Sequence, residues 1–94
     1  MSYSYILCYD DAFGDRDKVK GYMNSIPQIT HWRYDLPHCF YVVSTSSSAD
    51  IITNQLRRLS GEQGRFFFMQ YHENSQGWLT AESWYLLNNK NYKP

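Results

Sequence analysis

An α+β sandwich with the element order β-α-β-β-α-β is what this 94-residue sequence predicts. Three observations carry that expectation. Four apolar runs of strand length recur along the chain, the second and third separated only by Pro37-His38. Between the first and second runs, and again between the third and fourth, the apolar spacing changes to that of a helix. Gly or Pro closes each helical stretch, as residues that end regular structure do. A chain of this length makes one domain near the lower end of what folds alone.

Residues 3–10 (YSYILCYD) are short, apolar and aromatic, which suits a buried central strand. From Asp15 the pattern turns helical: Val19, Tyr22, Met23 and Ile26 fall at i, i+3, i+4 and i+7. Asp15 or Asp17 can accept hydrogen bonds from the free N–H groups of the first turn, and Pro27 stops the helix. Residues 29–36 (ITHWRYDL) and 39–45 (CFYVVST) read as a hairpin of two strands. The run Ser46-Ser47-Ser48 then offers N-caps for a second helix, whose Ala49, Ile52, Leu56 and Leu59 share one face until Gly61 and Gly64 end it. Residues 65–71 (RFFFMQY) form the fourth strand.

This order is that of the ferredoxin-like fold: one antiparallel sheet with two helices on one face. Alternation along the fourth strand puts Phe67, Met69 and Tyr71 on one side and Phe66 and Phe68 on the other. Two helices cover only one of those sides, so the tail or a second subunit must cover the other. Thr80 can cap a short tail helix, AESWYLL, whose Trp84 and Leu87 sit at i and i+3. We expect one domain over residues 1–87 including that helix, with 88–94 (NNKNYKP) frayed.

Nine tyrosines, five phenylalanines and three tryptophans are a large aromatic load for this length. Such rings bury much area and suit interfaces, so a homodimer is expected, with Phe66, Phe68, Trp78 and Trp84 as its interface rings. The formal net charge is zero, which removes any general attraction to polyanions. Cys8 and Cys39, each within an apolar run, read as two buried free thiols, with a disulfide as the alternative. No basic leader with a long apolar core opens the sequence and no apolar stretch has membrane-spanning length, so a cytoplasmic protein is expected.

Asp10 stands where the first strand stops, at the rim of the sheet. A carboxylate there is placed to hold magnesium, which two copies across a dimer axis could share. Asp15 and Asp17 are explained as acids at a helix start. Arg57, Arg58 and Arg65 gather around the end of the second helix; with Arg33 and Tyr9 they make the candidate binding set. Cations at a helix C-terminus also complement its dipole, so the arginines have a structural explanation as well. GRFFFMQY at 64–71 mimics the base-stacking strand of an RNA-recognition fold, but it follows the second helix instead of preceding it. His31, His38 and His72 lack metal-ligand spacing with the cysteines. The hydroxyls of Ser44 to Ser48 have no base at a recognisable spacing.

YILCYD at the start, HWRYDLPHCFYVVST through the hairpin, SADIITNQLRRL in the second helix and GWLTAESWYLL in the tail together resemble the small CRISPR-associated endoribonuclease family, in its stand-alone SinR-like branch. The resemblance implies a ferredoxin-like dimer in which strand-end aspartates face one another and can hold magnesium. The family's aspartate corresponds to Asp10. The chain departs from the adaptation-complex members in its zero net charge and in carrying a Trp-containing helical tail where they have a last strand.

The expected function is a small non-catalytic homodimeric module that binds a partner protein, such as a defence-related complex, with no cofactor. A magnesium-dependent endonuclease using paired Asp10 residues is the enzymatic alternative. A nucleic-acid-binding module built on the arginines is the third.

Overall fold

The computed structural model describes residues 1–92. Its elements are β1 (Tyr3–Tyr9), α1 (Arg16–Ser25), β2 (Ile29–Tyr34), β3 (Cys39–Ser44), α2 (Ala49–Leu59), β4 (Phe66–Gln70) and α3 (Ala81–Asn89). The four strands form one antiparallel sheet in the order β2-β3-β1-β4. This is an α+β architecture compatible with the ferredoxin-like fold, with the C-terminal helix added.

Local signals in the chain set the element boundaries. The Asp15 carboxylate accepts the Lys18 N–H at 2.8 Å and caps α1. Ile26 turns extended ahead of Pro27, whose ring disfavours helical backbone in the residue before it. Ser48 accepts the Asp50 N–H at 3.2 Å to open α2. Gly61 and Glu62, both at positive φ, close α2 by donating their N–H groups to the carbonyls of Arg58 and Arg57.

Both faces of the sheet carry a core. Tyr5, Leu7, Phe40, Val42 and Phe68 meet α1 and α2 through Val19, Met23, Ile52 and Leu56. Cys39, Tyr41 and Val43 point the other way and meet Leu86 and Leu87 of α3. All six residues of β3 are buried, Phe40 and Val42 in the core shared with α1 and α2 and Cys39, Tyr41 and Val43 in the one shared with α3. The tail therefore covers much of the second face.

Polar contacts hold α3 in place. The fully buried Ser83 hydroxyl donates to Asp35 Oδ2 at 2.8 Å and accepts from Arg33 Nε at 2.9 Å and Thr80 Oγ1 at 3.1 Å. Ser4 donates to the Leu87 carbonyl at 2.7 Å, and the Tyr71 hydroxyl donates to Asn88 at 2.8 Å. Removing Ser83's hydroxyl strips one buried donor and two acceptor contacts together. Ser83→Ala is expected to cost about 1–3 kcal/mol, with α3 amides losing hydrogen-exchange protection before the sheet does.

The helix runs past the expected boundary at Leu87 to Asn89, and Lys90 ends it in the left-handed conformation. Beyond it, the Tyr92 hydroxyl donates to the Trp32 carbonyl at 3.1 Å and accepts its N–H at 3.4 Å. Fraying was expected from Asn88 onward; of that stretch, residues 93 and 94 lie outside the described residues.

Candidate functional site

Asp10, at the end of β1, is built into the loop that follows it. Its Oδ1 accepts the Phe13 N–H at 3.0 Å while its carbonyl accepts the same N–H at 3.2 Å. Backbone hydrogen bonding from Arg65, and then from Phe13, holds the carboxyl below its ordinary range. Asp10 thus stabilises the turn between β1 and α1. Among the described residues no three His, Cys, Asp or Glu side chains gather as a metal would need. Magnesium keeps several waters and takes one or two carboxylates, and the Asp10 carboxylate oxygen that a hydrogen bond engages within the chain is Oδ1, held by Phe13.

Asp11 turns outward, where its Oδ1 lies 2.6 Å from His38 Nε2 on an exposed surface. The sequence held no hint of this pair: the partners are far apart in the chain, and His38 reaches Asp11 from a left-handed backbone position in the hairpin turn.

The candidate binding set divides. Arg57 and Arg65 line one groove of about 290 Å³ at the end of α2, and Arg58 borders a second beside it. Arg57 is offset there by Glu62 at 3.1 Å, both side chains largely exposed, so the pair adds little stability. Arg33 is elsewhere, bound to Ser83 under α3. Tyr9 is buried, with its ring against Phe13, His38 and Phe40. Burial pushes its phenol up to about 12.

The expected interface rings also divide. Phe68 is 7 % exposed and stacks on Tyr5 with centroids 4.6 Å apart. Phe66 packs on Phe13 at 4.9 Å. Both face α1 and α2, so their area is spent inside the subunit. Their strand neighbours are the ones left open: Phe67 is 62 % exposed and Met69 39 %. Trp84 is half-buried beside Tyr71, whereas Trp78 is 100 % exposed.

The reason lies in how α3 is placed. It packs chiefly on β3, β1 and β2, and Phe67 and Met69 of β4 stay exposed. The far side of β4 is thus open at Phe67 and Met69, and so is its outer edge, since no described strand pairs there. The two sheet edges differ in their protection. Along β2 the ladder is irregular between Ile29 and His31, and the Tyr92 hydroxyl occupies both backbone groups of Trp32. Along β4 the sequence FFFMQ carries no charge and no proline, and its pairing with β1 is unbroken. Edges are normally blunted by charges, prolines or bulges; β4 has none of these. Beside this strip, the loop of residues 75–79 roofs an apolar groove of about 340 Å³ lined by Ile6, Cys8, Leu36, Tyr71 and Trp78.

The fold and this surface define a small α+β protein with one protected and one open sheet edge. Compared with protein-family models, curated proteins and solved structures, the chain matches none. Among the described residues no helix is long and apolar enough to cross a membrane.

Proposed function

We propose that the chain is a non-catalytic interaction module that pairs with a second copy of itself through β4 and binds a partner protein beside that junction. The observation that carries the reading is Phe67 and Met69 exposed on an uncharged edge strand whose outer backbone groups have no partner strand among the described residues. Two copies of β4 laid antiparallel would satisfy those N–H and C=O groups reciprocally and continue the sheet across both subunits. The same step would bring the two Phe67–Met69 strips side by side on the face that α3 leaves bare. Trp78, at the mouth of the apolar groove, is the anchor assigned to the partner protein, since interface energy concentrates on large aromatic residues.

Sedimentation equilibrium tests the pairing. The natural chain is expected to self-associate to a dimer. Phe67→Lys places a charge on the edge and on the strip together, and is expected to weaken association by more than about 30-fold. Its thermal midpoint should stay near that of the natural chain, because the position is mostly exposed. A natural chain that sediments as single subunits at every concentration reached would overturn the proposal.

A further inference from the structure

Cys8 and Cys39 are directly opposed on the adjacent antiparallel strands β1 and β3. In such a ladder, hydrogen-bonded and non-hydrogen-bonded pairs alternate. The Tyr9 N–H donates to the His38 carbonyl at 3.1 Å, which makes Tyr9 and His38 a hydrogen-bonded pair. Cys8 and Cys39, one step along, are therefore a non-hydrogen-bonded pair. The opposite ladder agrees: the Asp10 N–H donates to the Arg65 carbonyl and the Tyr71 N–H to that of Ser4, so Cys8, between those positions, directs its backbone bonds toward β4. Cα atoms of a non-hydrogen-bonded pair lie about 4.5 Å apart, within the range of about 4.4–6.8 Å that a disulfide spans. Both side chains leave the same face of the sheet, and both line the groove beneath Trp78.

The two thiols differ in access. Cys8 is exposed and Cys39 is buried, and both are free. From this arrangement we infer that Cys8 and Cys39 form a redox-sensitive dithiol, in which a small-molecule disulfide reacts first at Cys8 and Cys39 then closes an intrachain bond. In the first step the Cys8 thiolate attacks one sulfur of the small disulfide, and the other sulfur leaves and takes up a proton as a thiol. In the second, Cys39 gives up its proton and its sulfur attacks that of Cys8, expelling the remaining half as a second thiol. The chain loses two electrons and two protons, and the small disulfide becomes two thiols. Burial, and then a charge on Cys8, raise the Cys39 thiol above its ordinary range, so the exposed Cys8 leads and the buried Cys39 follows. The inference is independent of the docking proposal, since its readout is the state of the chain's own sulfurs.

The test titrates the reduced 94-residue chain with oxidised glutathione in a glutathione buffer and follows thiol count, intact mass and mobility on a non-reducing gel. The natural chain should lose both thiols together, become lighter by two hydrogens and migrate as a single chain. Cys39→Ser should keep one glutathione on Cys8, because nothing resolves the mixed disulfide. Cys8→Ser should leave Cys39 unmodified under conditions that keep the chain folded. A natural chain that holds a glutathione adduct with one thiol still free, or that links to a second chain, would overturn the inference. So would one that keeps both thiols at every buffer ratio, and this outcome needs no variant to fold.

Discussion

Gly64→Ala is expected to lower the thermal midpoint of the protein by more than about 10 °C, with urea unfolding showing a loss of about 2–5 kcal/mol. Two effects combine at this position. Gly64 has φ +75°, in the left-handed region, where a Cβ costs about 1–2 kcal/mol. That Cβ would also lie 2.2 Å from the Phe13 backbone nitrogen and 2.5 Å from Asp10 Oδ1. These are the two atoms joined by the hydrogen bond that shapes the loop after β1. Neither is the loose end of a long side chain, so overpacking adds about 1–3 kcal/mol more. Gly61 supplies the control. It has φ +66° with nothing near its missing Cβ, so Gly61→Ala should show the backbone cost of about 1–2 kcal/mol alone. Equal losses at the two sites would mean that the close approach of Gly64 to the Asp10 turn contributes nothing.

The same contact explains part of what could and could not be read from the sequence. The helices were legible because their signals are local. Asp15, Ser48 and Thr80 cap the helices they precede, and the spacing of Val19, Tyr22 and Met23 is that of the buried face. The sheet order follows from the element order, and β3 as a central strand follows with it. Asp10 was visible as a strand-end carboxylate, but its commitment to Phe13 depends on a loop pressed against Gly64, far along the chain. Arg33 was visible as a cation, but its partner Ser83 lies fifty positions away, on a helix whose docking face no local pattern specifies. The tail shows the same limit. Trp78 and Trp84 look alike in the sequence, yet one stands free at a loop and the other leans on Tyr71.

The fourth strand poses the sharpest case. Alternation correctly separates Phe66 and Phe68 from Phe67 and Met69, but with bulky apolar groups on both sides it does not say which set meets the helices. Register decides that. Phe68 pairs with Leu7 and Phe66 with Tyr9, both on the helix side of β1, whereas Phe67 pairs with Cys8 on the other. Phe66 and Phe68, expected at a dimer interface, thus lie on the helix side, and Phe67 and Met69 are the pair left exposed.

Phe68→Ala and Phe67→Ala should accordingly behave in opposite ways. Phe68 loses its stack on Tyr5 and leaves a void between β4 and the α1–α2 layer, where surrounding side chains are already close-packed. Unfolding in urea should show a loss of about 3–5 kcal/mol. In a domain this small that is a large share of a total of about 5–14 kcal/mol. Phe67→Ala removes a ring already largely in water, so the unfolding free energy of the single subunit should change by no more than about 0.5 kcal/mol. Its effect should appear instead in sedimentation, as a dimer that dissociates at lower dilution than the natural one. Measuring both variants below and above the association range separates the two roles, because dimerisation adds concentration-dependent stability only where the interface is intact. If Phe67→Ala destabilised the dilute subunit as much as Phe68→Ala, the strand would be facing the other way. The exposed strip on which the docking proposal rests would then not exist.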